Sequence, residues 1–346
     1  MRCRWALLIT LLLALGIVIG LLRRVPEAEP QLPYVSFTEQ IMAAPIGVLL
    51  PAEHGREGAE IVFEVFRNVE TRMNEWKEDS PLAAANRAAG VKPVAVPDDL
   101  CALIRRGVEI GDLTDGAFDI TWAALWGLWD FGADLPHVPD ADEIEARIDL
   151  VDYRLVEIDD EAGTVFLAEK GMLIGLGGIA KGYALGRAAD ALREAGVDSF
   201  LISAGGQMMV SGRRGERPWR IGIRGPRKGP TEYFAYVEVT DTSVSTSGDY
   251  ERYFILDGER YHHILDPRTG RPANPPDRLR SATVVCADAT LADALSTALI
   301  VLGREEALTL IESLDGVEAV LVDDEARVHS TSGLGETLQF VREPSR

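Results

Sequence analysis

Residues 196–225 read GVDSFLISAGGQMMVSGRRGERPWRIGIRG. Two strand-like runs, Ser199 to Ser203 and Trp219 to Ile223, follow each other with turn residues at Gly212 and Gly225 and no helical stretch between. The pattern continues through Tyr233 to Val239, Arg252 to Leu256 and Ala282 to Val285, with a turn at Asp257-Gly258. Upstream, Arg154 to Ile158, Thr164 to Leu167 and Met172 to Ile174 read as strands. From Gly58 to Glu78, Ile61, Val62, Val65, Phe66, Val69 and Met73 recur at helical spacing. Further helices are expected at Asp98 to Leu113, Ala180 to Ala195 before Gly196, Thr290 to Leu302 before Gly303, and Arg304 to Ser313. Ile120 to Asp130 carries three tryptophans, and the polar stretch Asp140 to Asp149 reads as a surface excursion. Strands and helices mix here without a regular strand-helix repeat, so the sequence predicts an α+β domain rather than a doubly wound one. There is no internal repeat.

The 346 residues are 47% hydrophobic and 26% charged, a globular composition. A net charge of -20 leaves no basic face for a nucleic-acid backbone, so nucleic acid is set aside. The same field repels anions, so a phosphate-bearing ligand needs local neutralisation by backbone N–H groups, lysine or a metal. At the N-terminus, Arg2 and Arg4 precede an apolar run from Trp5 to Leu22, which Arg23 and Arg24 close. That length suits a transmembrane helix, and no small-x-small cleavage site follows it. We expect an anchor over residues 1–24, a Pro/Glu-rich tether over 25–33 and one domain over 34–346, with a cleaved signal peptide as the competing reading. Arginines on both flanks leave the orientation open. Cys3, Cys101 and Cys286 lack metal-ligand spacing, and the last two read as small buried hydrophobes.

Four segments could carry chemistry. Gly175-Leu176-Gly177-Gly178-Ile179-Ala180-Lys181-Gly182 joins a short strand to a helix. It is either a tight packed turn or an anion cradle with Lys181 beside it. Gly205-Gly206 marks a second close backbone approach. On the helix from Thr290, Asp293 and Thr297 are four apart and share a face. They are part of a hard-oxygen set for Mg²⁺, or a helix-dipole carboxylate and a hydroxyl bonded back to a carbonyl. His262-His263-Ile264-Leu265-Asp266-Pro267-Arg268-Thr269-Gly270 is a polar turn in which Asp266 can cap the backbone two residues on. A histidine there is either a general base or a turn-stabilising donor.

Taken in order, these segments resemble the ApbE-like FAD:protein FMN transferases. The match runs through Asp79-Ser80 with Asn86, Gly116-Ala117-Phe118-Asp119-Ile120-Thr121 and Leu125-Trp126-Gly127. It continues through Gly177 to Ala184, Ser203-Ala204-Gly205-Gly206, Thr246-Ser247-Gly248-Asp249-Tyr250, His263 to Gly270 and Ala292 to Thr297. The resemblance implies one large α+β ApbE-like (T-fold-related) domain with mixed or antiparallel sheets, in which Mg²⁺ bridges the FAD diphosphate. It implies metal binding by Asp293, Thr297 and the Gly178 carbonyl, with Ser296 close by. FAD contacts are implied at Trp76, Ala117, Phe118, Asp119, Lys181 and Leu265, with Trp76 where relatives often have a flavin-stacking Tyr. His263 is implied as the base, with Asp266 fixing its turn.

The implied reaction moves FMN from FAD to a Thr or Ser hydroxyl of an acceptor protein and releases AMP. The alternatives are an FAD hydrolase giving FMN and AMP, and a non-catalytic FAD-binding protein. The implied partner is a membrane redox-complex subunit with Thr in a short Gly-containing motif. The domain would then lie outside the cytoplasm, on the periplasmic side. The chain departs from the family pattern at Gly175 and Gln207, where Asp is common, and in the segment Ile46-Gly47-Val48, where Met-Gly-Thr is common.

Overall fold

In the computed structural model, which describes residues 33–133, 135–229 and 232–344, eight strands form one antiparallel sheet. They are β1 (Tyr34–Ile41), β2 (Ala44–Pro51), β3 (Phe200–Ala204), β4 (Gln207–Ser211), β5 (Thr242–Gly248), β6 (Leu279–Cys286), β7 (Val317–Asp323) and β8 (Val328–Ser330). Their spatial order is their chain order, and every neighbouring pair is antiparallel. The sheet is therefore a meander into which long insertions are spliced. The helices are α1 (Gly55–Arg72), α2 (Pro81–Arg87), α3 (Asp98–Leu113), α4 (Ala141–Ile148), α5 (Ala180–Glu194), α6 (Ala289–Leu302) and α7 (Arg304–Glu312).

Strand alternation sorts the two faces of the sheet. In β5, Val244 joins a core of Val210, Trp219, Ile221, Val285 and Val320, built against a three-stranded sheet of Trp219–Arg224, Tyr233–Val239 and Leu338–Phe340. Ser245 and Ser247 point the other way and meet α6 through hydroxyl contacts. The helical side holds the larger core, which includes Phe66 of α1, Leu185 of α5 and Leu295 of α6, all fully buried.

The α+β expectation holds, and the strands pair antiparallel throughout rather than in mixed sheets. Met172 to Ile174 makes only an isolated parallel bridge, Leu173 to Trp122, so that run is a connector and not a ladder strand. The surface excursion expected at Asp140 to Asp149 lies mostly exposed, and its backbone forms the helix Ala141–Ile148. Asp140 N–H donates to Glu143 Oε2 at 2.8 Å, and Ile144 is buried among Leu125, Leu128 and Trp129. α1 stops at Arg72, and Ser80 caps α2 with Pro81 in its first turn, so Trp76 lies on a loop. Cys101 and Cys286 are buried free thiols, and burial pushes Cys286 up to about 12. Among the described residues no helix is long and apolar enough to cross a membrane. The anchor at 1–24, and the tether at 25–33 except its last residue, lie outside the described residues.

Candidate active site

The glycine-rich turn ends where α5 begins, and α6 passes against that end. At Gly182 a Cβ would lie 2.2 Å from Ala289 O and 2.6 Å from Asp293 Cβ, so only glycine allows the approach. Gly182 N–H donates to Asp293 Oδ2 at 2.8 Å, and Gln207 Nε2, from β4, donates to Oδ1 at 2.8 Å. Burial raises the pKa of the Asp293 carboxyl, against the opposing pull of the Lys181 ammonium and those two donors. Lys181 Nζ donates to Gly177 O at 3.1 Å.

A line of hydroxyls continues from Asp293. Ser296 Oγ donates to Asp293 O at 2.9 Å and lies 2.8 Å from Ser247 Oγ, which lies 3.3 Å from Thr297 Oγ1. Of the residues expected at a metal, Asp293, Ser296 and Thr297 fall on α6, and Gly178 lies on the turn that leads into α5. Gly178 sits four residues before Gly182, and its Cβ position is 3.1 Å from the Phe118 ring. Gln207 Oε1 is buried and receives no hydrogen bond among the described residues. A buried amide oxygen without a donor implies a missing partner, and with a carboxylate, hydroxyls and backbone carbonyls nearby that partner fits a hard cation such as Mg²⁺. No three His, Cys, Asp or Glu side chains gather among the described residues, so a softer-metal set of those ligands is not offered.

His263 lies on the connection after Glu259–His262. Its Nδ1 is 3.3 Å from Arg252 O, and because a carbonyl only accepts, Nδ1 carries the proton and Nε2 keeps a free lone pair. Burial, then His262 and more weakly Lys181, hold His263 down at about 4, so its ring is neutral at pH 7. Asp266 accepts from Arg268 N at 3.0 Å and from its guanidinium, and Gly270 N–H donates to Asp266 O at 2.9 Å, which fixes the turn. Leu265 pairs with Pro272 in the same turn. His262 is buried with Nε2 at 3.1 Å from Ala273 O, a structural bond. A cavity of about 1350 Å³ borders His262 and Asp266 but neither Asp293 nor Lys181.

Ala117 and Phe118 are buried behind the glycine-rich turn. Asp119 accepts from Thr121 N at 2.7 Å and from Tyr153 N at 2.9 Å, so both of its oxygens already hold protein backbone. Trp76 is half exposed and packs on Trp126. Sequence reasoning missed Glu75, whose carboxyl faces the Leu176 N–H and Lys181 and whose pKa is raised chiefly by burial. A lone loop glutamate gives no periodic or spacing signal. Two of the departures acquire a physical reason. A Cβ at Gly175 would lie 2.9 Å from Ala123 Cβ and 3.0 Å from the Trp122 ring, so Trp122 fills the space an aspartate would need. Gln207 is a donor to Asp293 rather than a second carboxylate.

Comparison with known proteins fits this geometry. Residues 41–321 match the model of the ApbE family. The chain is 36% identical to an FAD:protein FMN transferase of Treponema pallidum over 84% of each chain. It is 34% identical to one of Klebsiella pneumoniae, covering 83% of this chain and 88% of the relative. The crystal structure of an ApbE protein from Thermotoga maritima superposes with a TM-score of 0.80 at 32% identity, over 88% of this chain and 99% of that one. The flavin transferase ApbE from Vibrio cholerae gives 0.77 at 26% identity, over 88% of this chain and 100% of that one. With a family-model match over most of the chain and relatives above 30% identity along most of its length, the chain belongs to the ApbE family.

Proposed function

We propose that this chain is a flavin transferase that moves FMN from FAD onto a Thr or Ser hydroxyl of an acceptor protein, with Mg²⁺ required and AMP released. The family and the names of its relatives support the transferase reading. The observation that carries the finer reading is the α5–α6 junction, where the buried Asp293 carboxylate faces the first turn of α5 beside Lys181 and the unpaired Gln207 oxygen. The positive dipole end of a helix start and a lysine attract a diphosphate. In so acidic a chain that attraction needs a short-range positive charge as well. Mg²⁺, when bound through Asp293, Thr297, Ser296 and the Gly178 carbonyl, supplies that charge and offsets the negative charge of the diphosphate.

The protein groups then do the following. Lys181 and the glycine-rich turn hold the diphosphate, and Trp76 offers a ring face to the flavin. His263 Nε2 takes the proton of the acceptor hydroxyl. The hydroxyl oxygen bonds to the FMN-side phosphorus, the bond from that phosphorus to the bridging oxygen breaks, and the bridging oxygen leaves with AMP. The run Trp5 to Leu22 between arginines supports a membrane anchor. On this proposal the domain works outside the cytoplasm on subunits of membrane redox complexes. Incubation of the purified chain with FAD, MgCl₂ and a candidate acceptor, followed by intact-mass analysis, tests the reaction. The acceptor should gain FMN with one AMP per adduct. FMN and AMP without adduct would replace transfer by hydrolysis, and unconsumed FAD would remove the enzymatic reading.

A further inference from the structure

Three indoles run from the glycine-rich turn to the loop between α1 and α2. Trp122 Nε1 donates to Gly175 O at 2.9 Å, and its ring fills the space over Gly175. Trp122 meets Trp126 edge-on at 6.2 Å and 67°, and Trp126 lies against Trp76 at 4.2 Å and 35°. Trp126 is itself braced: its N–H donates to Ala123 O at 3.0 Å, and its carbonyl accepts from Arg147 Nη1 of α4 at 2.7 Å. Trp76 has less support. It lies on the loop between α1 and α2, with its N–H on Asn74 Oδ1 at 2.9 Å.

Trp76 is 48% exposed and Trp126 53% exposed, an apolar area that water disfavours and that ligand sites commonly present. A pocket of about 260 Å³ is bounded by Glu75, Trp76, Asn86, Ala123 and Leu173, with Trp126 outside it. Trp126 therefore reaches that pocket through the Trp76 ring.

We propose that Trp122, Trp126 and Trp76 form an indole ladder that fixes the flavin-facing ring relative to the diphosphate-binding turn, with Trp126 as the positioning residue between them. The inference rests on the flavin reading above. Without Trp126 the Trp76 ring is free to rotate on its loop, so a ligand that stacks on it must order that ring on binding. A ligand that does not stack on that ring loses nothing.

The test compares the full chain with Trp126→Ala and Trp126→Phe, titrated with riboflavin, which has the ring and no phosphate, and with ADP plus Mg²⁺, which has the diphosphate and no flavin. Trp126→Ala should weaken riboflavin roughly three- to tenfold, the worth of one aromatic pair, and leave ADP within twofold. Trp126→Phe should recover most of that loss. The near-UV circular dichroism of the ligand-free protein should lose its coupled-indole signal in Trp126→Ala. Riboflavin affinity unchanged in Trp126→Ala, or equal losses for riboflavin and ADP, would overturn the ladder while the flavin reading stands. Failure of the unaltered chain to bind riboflavin or FAD would instead sink the flavin reading itself.

Discussion

Asp293 Oδ2 accepts the backbone N–H of Gly182 at 2.8 Å, which ties α6 to the first turn of α5. This one contact puts a buried carboxylate beside the start of a helix, where the aligned peptide dipoles make a local positive field. The glycine-rich turn, Lys181 and the hydroxyls of Ser296 and Thr297 are arranged around it.

Gly182→Ala should therefore damage both fold and site. The new methyl would meet Ala289 O at 2.2 Å, so the helices must part. A cost of about 1–3 kcal/mol is expected for such overpacking, seen as a lower thermal midpoint, together with loss of FMN transfer. A parent-like melting curve would show that the contact is looser than described.

His263→Ala should slow transfer by about 10²- to 10⁴-fold while FAD binding is kept. The parent needs the neutral ring, and burial holds that ring at about 4 instead of 6.5. A depressed pKa moves the acid limb of the rate profile downward, so kcat/KM should stay level from pH 7 toward 5 before it falls. An acid limb at 6.5 or above would take His263 out of the role of base.

Gly175→Asp should cost about 1–3 kcal/mol, because the side chain collides with Trp122 and Ala123. Trp122→Ala in the same chain should relieve part of that cost. A double-mutant cycle by urea unfolding reads the coupling directly, and strict additivity would mean the two positions do not compete for space.

Asp323 is a separate, structural case. Its burial opposes ionisation, but His329 Nε2 at 2.9 Å and the Arg327 N–H groups outweigh burial and lower it from 3.8 to about 2. A carboxyl with a depressed folded-state pKa stabilises the fold above its ordinary value and loses that contribution as pH falls through the lowered one. At most about 2 kcal/mol should vanish between pH 4 and 2, less the solvent screening of the exposed Arg327. Asp323→Asn should flatten stability over that range, and a variant as acid-sensitive as the parent would assign the loss to other groups.

The helices were the most legible part of the sequence. α3 is read to its end residues, because Leu100, Leu103, Ile104 and Ile110 recur at three and four and Asp98 opens the run. β5 escaped because TSVSTSG carries its serines on the face toward α6, so burial there is polar and leaves no apolar alternation. α4 escaped because Ile144 is its one buried residue. At the proposed site, the placement of Asp293 and Thr297 on one helix was legible from their spacing. Glu75 and the hydroxyl line through Ser247 were not, since they come together only when the meander closes around α6.

Calorimetric titration of Mg²⁺ into the parent and Asp293→Asn, each preloaded with FAD, tests the cation site most directly. The parent should take up one Mg²⁺ per chain and hold FAD more tightly for it, and Asp293→Asn, which keeps the shape and removes the charge, should lose both effects. Equal Mg²⁺ uptake by the two proteins would place the cation away from the α5–α6 junction and contradict the proposed site.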